Sequence, residues 1–177
     1  MIVTVPNPVL TTPAKPVVKI DKKILGIIAR MKKALIEADK PKGVGLAAPQ
    51  IGVPYRIFIV RPKEDSPITV FINPEIIERS KDLSEIKREG NKLEGCLSVP
   101  NIWGHLKRPA RVKLRFTDVN GKRQEKEFSG FLATIIQHET DHLDGILFTK
   151  RVLEQKEKLY EGKEDDKGNE KLVEIKI

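Results

Sequence analysis

Apolar residues recur every three or four positions near the start of the chain, which is the spacing of one face of an α-helix. They are Ile24, Ile27, Ile28, Met31, Leu35 and Ala38. Asp21 precedes them, and an aspartate side chain accepts hydrogen bonds from the free N–H groups of a first helical turn. Pro41 and Gly43 follow them, and both residue types end helices. The pattern predicts an amphipathic helix over residues 22–39, after an extended arm at residues 3–18 that contains four prolines.

Shorter apolar runs between turn-forming residues predict β-strands. We expect strands at residues 55–60, 68–73, 75–78, 112–119, 123–128, 146–149 and 172–177. Asn120-Gly121 lies between the fourth and fifth of these, and this dipeptide is a strong signal of a tight hairpin. The charged stretch 79–92 fits either a surface loop or a ragged edge strand. Residues 153–160 and 162–169 are predicted to form a short helix and a charged turn.

A second helix is predicted before residue 144. Ser129-Gly130 suits its start and Asp144-Gly145 its end. A helical wheel gives it one face with Phe131, Ile135, His138, Glu139 and His142, and an opposite face with Thr134, Gln137, Thr140 and Asp141. The chain is therefore predicted to have an α+β fold in which antiparallel strands pack around this central helix. We expect one domain over residues 1–177, with residues 153–177 as its variable C-terminal helix, turn and strand.

Composition narrows the class of protein. The 177 residues carry a net charge of +8 at pH 7, which can favour polyanions such as ribosomal RNA but is more often simply a solubility feature of a lysine-rich protein. The basic residues are scattered along the sequence and aromatic residues are few, which argues against direct binding of nucleic acid, DNA included. The chain has no long apolar run and no signal peptide, so we expect no membrane association. Cys96 is the only cysteine, so the chain cannot form an internal disulfide, which suits a reducing cytoplasm.

Residues 137–142 read Gln-His-Glu-Thr-Asp-His. On a helix, His138 and His142 lie one turn apart on the same side and can hold one metal ion, and Glu139 can reach a water on that ion. The H-E-x-x-H motif is best known from zinc proteases, which need a third ligand. Cys96 offers a thiolate, although a lone cysteine is more often a small buried apolar residue.

Three segments taken together resemble peptide deformylase. They are GVGLAAPQ at residues 43–50, EGCLS at residues 94–98 and QHETDH at residues 137–142, in that family's order and with compatible spacing. The sequence PNPVL at residues 6–10 and Arg108-Pro109 extend the resemblance over most of residues 5–150. Three motifs in order are far more specific than H-E-x-x-H alone.

The resemblance implies a metal-dependent hydrolase that removes the N-terminal formyl group from formylmethionine of nascent polypeptides and releases formate. It implies one divalent metal ion held by Cys96, His138 and His142. Fe²⁺ is the usual native metal of the family, and Zn²⁺, Ni²⁺ and Co²⁺ suit the same ligands. The resemblance also implies a bacterial cytoplasmic location, and leaves a phage or organelle origin open.

Catalytic roles follow from the same resemblance. Glu139 would take a proton from the attacking water and pass it to the departing amine. The Gln50 side-chain amide and the Leu97 backbone N–H would stabilise the oxyanion.

The resemblance further implies a substrate pocket. The methionine side chain would bind among Val44, Phe131, Thr134 and Ile135, while the Gly45 backbone would pair with the peptide as an added strand does. Glu94 and Arg108 would form an ion pair behind the metal ligands, or else an ordinary surface pair.

Two other functions stay open from the sequence. A metallopeptidase would take Glu154 or Glu157 as its third ligand, which leaves the segments around Gln50 and Cys96 unexplained. A non-catalytic metal-bound module associated with the ribosome would need neither Glu139 nor Gln50. The C-terminus also lacks the long basic helix with which some members of the family dock on the ribosome, so association by that route is not expected. Asp141 receives no role.

Overall fold

The computed structural model describes residues 1–39, 42–85, 93–164 and 170–176. Within these ranges the α-helices are α1 (Lys22–Glu37), α2 (Gly130–Leu143) and α3 (Phe148–Glu154). The strands of the same ranges are β1 (Gly45–Ala47), β2 (Ile57–Val60), β3 (Thr69–Arg79), β4 (Leu83–Glu85), β5 (Glu94–Cys96), β6 (Val99–Gly104), β7 (Lys107–Pro109), β8 (Arg111–Thr117), β9 (Arg123–Ser129), β10 (Leu159–Glu164) and β11 (Glu170–Glu174). Short 3-10 helices span Pro8–Thr11 and Ala48–Ile51.

The helix α1 confirms the first periodic segment. The Asp21 side chain accepts a hydrogen bond from the Ile24 N–H at 3.0 Å, so the predicted cap is present. The helix ends at Glu37, and Ala38 is already extended. Of the two expected terminators, Gly43 lies beyond that end and Pro41 lies outside the described residues.

A five-stranded antiparallel sheet in the order β1-β2-β3-β8-β9 lies between α1 and α2. The strand β2 contributes side chains to the cores beside both helices, because successive side chains of a strand point to opposite faces of the sheet. Ile57 and Ile59 join the core with Ile28 and Met31 of α1. Phe58 joins the core formed with α2, where its ring stacks on that of Phe71 at a centroid distance of 4.7 Å.

A second antiparallel sheet in the order β11-β10-β6-β5 packs against α3 around a smaller core. Cys96, at the end of β5, belongs to this core together with Phe148 and Val152 of α3. The two strands β4 and β7 form a separate pair. Antiparallel strands around a central helix are the predicted α+β architecture, which is confirmed.

The strand β3 joins two segments that the sequence analysis separated. Residues 68–73 and 75–78 were expected as two separate strands. The chain instead continues as one strand whose pairing with β8 shifts register between Ile72 and Glu75. Asn73 takes a φ of 49° at this point, and its side chain holds the arm through hydrogen bonds to both backbone groups of Val17.

The expectations for residues 146–160 were wrong. Residues 146–149 do not form a strand, and the helix is not at residues 153–160: α3 begins at Phe148 and ends at Glu154. Phe148 and Val152 are one helical turn apart and both are buried, so packing decided the conformation of a run too short to show a period.

Other segments were predicted closely. Asn120-Gly121 does connect two paired strands, β8 and β9. The final strand β11 lies at a sheet edge, as expected, although it covers Glu170–Glu174. The turn expected at residues 162–169 was wrong for residues 162–164, which belong to β10, and its other residues lie outside the described part. Within the ambiguous stretch 79–92, Leu83–Glu85 is a short strand, and residues 86–92 also lie outside it.

No helix in the described part of the chain combines the length and the apolar character that crossing a membrane requires.

Candidate active site

The helix α2 is buried along one continuous stretch, from Ala133 to Leu143. On the face opposite the histidines, Thr134, Gln137 and Asp141 are buried as well. Each polar side chain of a buried helix needs a partner. Gln137 donates to the Pro109 carbonyl at 2.9 Å and Thr140 donates to the carbonyl one turn before it. The strands on all sides of α2 thus hold it in a fixed orientation.

Three metal-ligating side chains converge at this helix. Ligand atoms of Cys96, His138 and His142 all lie within 4.8 Å of one another. The Cys96 Sγ lies 3.1 Å from Nε2 of His142. All three residues are buried. One thiolate and two imidazoles are donors suited to a transition metal, and three protein ligands leave a position for water or substrate, as in catalytic sites.

Glu139 completes the arrangement. Its side chain is buried, and within the described residues its Oε2 has no hydrogen-bond partner. Burial raises the pKa of this carboxyl group to about 7. A buried carboxylate oxygen without a partner is unfavourable unless water, substrate or a cation approaches it. The residues present therefore fit a site that holds one metal ion beside a general base.

The two histidines have different surroundings. Burial and the charge of His138 lower the pKa of His142 well below its ordinary value, which favours the neutral ring that a metal binds. Burial would also lower the pKa of His138, but the carboxylate of Glu94 outweighs it and raises this pKa well above its ordinary value. The Nδ1 of His138 lies 2.5 Å from Oε1 of Glu94, which leaves Nε2 of that ring for a metal.

Behind Glu94 lies a buried network of charges. Arg108 donates to both carboxylate oxygens of Glu94, at 2.7 and 2.9 Å, and to Asp141 at 2.9 Å. Burial alone would raise the pKa of Glu94, but the Arg108 guanidinium holds it well below its ordinary value. Arg151 donates to the other oxygen of Asp141 at 2.8 Å. The sequence analysis left a surface pair open for Glu94 and Arg108; the structure shows a buried one that orients His138.

Gln50 reaches the site from the other side. Its Oε1 accepts a hydrogen bond from the Ala47 N–H at 2.8 Å, so its amide NH₂ group faces Ser98 and Cys96. The NH₂ nitrogen lies 3.2 Å from Ser98 Oγ and 3.6 Å from Cys96 Sγ. The Ser98 N–H also donates to this sulfur, at 3.4 Å. These contacts hold the Cys96 sulfur beside the two histidines.

A cavity of about 330 Å³ opens beside these groups. All five residues expected to contact substrate line it: Val44, Gly45, Phe131, Thr134 and Ile135. Gln50, Glu94, Cys96, Leu97, His138 and Glu139 line it too. His142 lies deeper, with 1% of its surface exposed. The structure therefore brings every predicted site residue except Arg108 and His142 to the cavity wall, and places those two directly behind it.

Gly45 is required by close packing at this wall. A Cβ atom at this position would lie 2.4 Å from Oε1 of Glu139 and 2.7 Å from Cγ2 of Ile135. Such distances are far shorter than a van der Waals contact. Glycine therefore lets the backbone of β1 approach the Glu139 carboxyl group.

Several residues of the site were not expected from the sequence. Trp103 lines the cavity and covers Gly95, where an added Cβ would lie 2.5 Å from the indole ring. Ser98 and Asp141 lie within two of the motifs noted in the sequence. Ser98 contacts Gln50 and Cys96, and Asp141 contacts Arg108, but no local sequence pattern indicates these contacts. Gly95 pairs with Trp103 across β5 and β6, which sequence spacing alone does not give. His105 lies outside the ligand group, with its ring 5.9 Å from that of Tyr160.

Comparison with known proteins agrees with this site. The sequence model of the polypeptide deformylase family matches residues 1–158. Peptide deformylase 1 of Bacillus subtilis (strain 168) is 43% identical over 151 residues, which cover 85% of this chain and 88% of that protein. Peptide deformylase of Treponema pallidum (strain Nichols) is 42% identical over 150 residues, covering 85% and 86%.

Solved structures agree as well. The peptide deformylase from Thermotoga maritima matches with a TM-score of 0.76 at 36% identity, covering 86% of this chain and 96% of that one. The class I type b peptide deformylase from Acinetobacter baumannii, crystallised with Met-Ala-Ser bound, matches with a TM-score of 0.75 at 34% identity, covering 85% and 97%. By its sequence, its fold and its site, the chain belongs to the polypeptide deformylase family.

Proposed function

We propose that this chain hydrolyses the formyl amide at the N-terminus of formylmethionyl nascent polypeptides and releases formate. The observation that carries the proposal is the group formed by Cys96, His138 and His142 next to a cavity of about 330 Å³, beside a Glu139 oxygen that has no hydrogen-bond partner in the part of the chain that the structure describes. A metal site with only a structural role needs neither a buried base nor an open cavity. We also propose that residues 1–177 form one domain, with residues 153–177 as its variable part.

The metal site is assigned to Cys96, His138 and His142. These residues would hold a divalent cation, which would supply Lewis-acid activation of water and of the formyl carbonyl. We propose Fe²⁺ as the native ion, with Zn²⁺, Ni²⁺ and Co²⁺ as substitutes, because a thiolate with two imidazoles suits all four. The Glu94 carboxylate fixes the ring of His138 through Nδ1, and Arg108 in turn fixes Glu94.

Glu139 moves the proton. It takes one from the attacking water as the oxygen bonds to the formyl carbon, and delivers it to the nitrogen as the C–N bond breaks. The products are formate and a free amino terminus. A pKa raised to about 7 by burial suits both steps, because the group can accept and release a proton near neutral pH.

Two donors are proposed for the negative charge that develops on the formyl oxygen. One is the Gln50 amide, whose orientation is set by the Ala47 N–H. The other is the backbone N–H of Leu97, next to the ligand Cys96. Donors held in place before the reaction stabilise the transition state without reorganisation.

Substrate recognition is proposed at the two strands that border the cavity. Within the described sheets, β1 and β5 are both edge strands, so their unpaired backbone groups can bind an extended peptide. The methionine side chain would enter the apolar part of the cavity at Val44, Phe131, Thr134 and Ile135. The similar Acinetobacter baumannii protein was crystallised with Met-Ala-Ser, the peptide that deformylation of formyl-Met-Ala-Ser would leave.

The test is formate release from formyl-Met-Ala-Ser by protein prepared anaerobically with Fe²⁺. We expect rapid release that a chelator abolishes. A Glu139→Ala variant should keep its metal, measured by elemental analysis, and lose turnover. Full activity of that variant would refute the assigned role of Glu139. Bound metal without any formate release by the unaltered protein would refute the proposed function.

The metallopeptidase alternative is disfavoured by the positions of its extra ligands. Glu154 pairs with Arg151 at 3.1 Å on an exposed face, and the cluster of metal ligands found among the described residues includes neither Glu154 nor Glu157.

Further partners and location belong to the same proposal. We propose the formylated nascent chain as the partner, a bacterial cytoplasmic location, and association with the ribosome without a C-terminal helix, because residues 159–164 and 170–174 pair as strands. Neither DNA nor a membrane is among the proposed partners.

A further inference from the structure

A second groove lies between α1 and the turn that follows the Gln50 segment. It encloses about 540 Å³ and is lined by Lys15, Lys23, Arg30 and Tyr55, without a carboxylate among its lining residues. None of these side chains lines the cavity beside the metal ligands. The groove is therefore a separate feature of the surface, and all of its charges are positive.

Some basic side chains on other faces pair with acids, for example Arg115 with Glu125 at 2.7 Å and Lys158 with Glu174 at 2.8 Å. In the described ranges, Lys15, Lys23 and Arg30 have no acidic group within ion-pair distance, and all three are exposed. The positive charge of the groove is thus available to a ligand.

The surrounding chain adds to this charge. Residues 1–37 contain seven basic and two acidic residues, which is a net +5 of the +8 carried by the whole chain. One of the two acids, Asp21, is engaged as the helix cap. Residues 1–37 therefore carry more than half of the net positive charge of the chain, and three of their basic residues line the groove.

The groove is open, and its backbone is held by hydrogen bonds. Lys15 pairs through its backbone with Pro54 and Arg56, at 2.8 Å each, which connects the arm to the turn. Gly26 of α1 lies at the groove, and a Cβ there would meet nothing within 4 Å. Tyr55 is half-buried, with Lys23 Nζ at 3.5 Å from its hydroxyl and 5.6 Å from its ring centroid. Proteins that hold single-stranded nucleic acid combine aromatic rings with cations in this way.

We propose that this groove binds the backbone of single-stranded RNA, with Lys15, Lys23 and Arg30 contacting phosphates and the Tyr55 ring contacting a base. The positive charge of the groove is observed in the structure and does not depend on the proposed function. The choice of RNA rests on the proposed function, because nascent chains emerge at the ribosome, whose surface is largely RNA.

The experiment measures fluorescence anisotropy of a labelled uridine oligoribonucleotide of about 12 nucleotides, a typical length for such sites. The protein is the full chain loaded with metal. Three single-strand phosphate contacts give a salt slope of about −2, so affinity should fall about 20-fold between roughly 50 and 200 mM salt. A Lys15→Gln/Lys23→Gln/Arg30→Gln variant should lose most binding at low salt and most of this slope.

The matched control is Lys122→Gln/Arg123→Gln/Lys126→Gln, which removes three exposed charges from the β8–β9 hairpin. It should bind RNA within about 3-fold of the unaltered protein, because counterion release depends on the phosphates contacted and not on net charge alone. Equal losses in both variants, or no loss in either, would overturn the inference. So would tighter binding to vesicles with anionic lipids than to RNA.

Formate release from formyl-Met-Ala-Ser is measured on the same preparations. Release without RNA binding would overturn the groove assignment and leave the proposed function intact. RNA binding without formate release would overturn the proposed function and leave the groove assignment intact. Both triple variants should release formate at the unaltered rate, since no substituted residue lines the cavity.

Discussion

Replacing Arg108 by methionine tests whether the buried ion network supports the fold. The guanidinium of Arg108 is 6% exposed and donates to Glu94 and Asp141. Arg108→Met keeps an apolar stem of similar length and removes the charge. Glu94 and Asp141 would then remain buried with one cationic partner fewer each.

The expected loss in the free energy of unfolding depends on which cationic partners Glu94 and Asp141 retain. Breaking a buried ion pair by removing one partner costs about 3–5 kcal/mol. Asp141 retains Arg151 at 2.8 Å and Glu94 retains His138 at 2.5 Å, so the lower end of that range applies. A loss of about 3 kcal/mol is a large part of a typical stability of about 5–15 kcal/mol. For a chain of this size it should lower Tm by roughly 6–12 °C.

Arg111→Met is the matched control. Arg111 pairs with Asp82 at 3.1 Å, but the two side chains are 52% and 54% exposed. An exposed pair of this kind contributes about 0–1 kcal/mol. Both variants therefore replace an ion-paired arginine by methionine, one in the buried interior and one at the surface.

The assay is urea unfolding followed by the fluorescence of Trp103, the only tryptophan. A chelator is present throughout, so that altered metal affinity does not enter the comparison. Equal losses for the two variants, or a loss below about 1 kcal/mol for Arg108→Met, would refute the assignment of a stabilising role to this network.

Three further outcomes are expected. Gly45→Ala should fold but lose most formate release, because its Cβ would displace the Glu139 carboxyl group; turnover close to that of the unaltered protein would contradict this packing argument. Gly26→Ala should raise the free energy of unfolding by about 0.5–1 kcal/mol in a urea titration, since alanine favours a helix interior and this site has open space; a destabilised variant would count against the geometry given for α1. Gln50→Ala should lower kcat about 100- to 1,000-fold, as loss of an oxyanion donor does, and a change confined to KM would assign Gln50 to substrate binding instead.

Local patterns predicted the elements whose signals lie within one segment. The α1 helix has a full apolar period and a cap at Asp21, and the β8–β9 hairpin has Asn120-Gly121. The run Ile146-Leu147-Phe148 has no such signal, and burial of Phe148 against Cys96 and Val152 decided its structure. A pattern three residues long cannot distinguish a strand from a helix start.

The site was predictable to the extent that its motifs are contiguous. His138, Glu139 and His142 follow from helical spacing alone, whereas Cys96 was joined to them through the resemblance of three segments. The Asp141 contact with Arg108 spans 33 positions and depends on how β7 meets α2. The position of Trp103 depends on the register between β5 and β6. Such pairings are set by tertiary packing, which short-range patterns do not encode.

The enclosure of α2 by strands from several parts of the chain has a consequence for biosynthesis. Cys96 is 5% exposed in the folded protein, and 46 residues separate it from His142. While the chain is being synthesised, its thiol emerges well before the helix that covers it. An exposed thiolate is open to oxidation, first to a sulfenic acid and then irreversibly to a sulfinic acid. Damage to this enzyme by oxidants should therefore be greatest in newly made chains, before α2 docks and encloses the ligand.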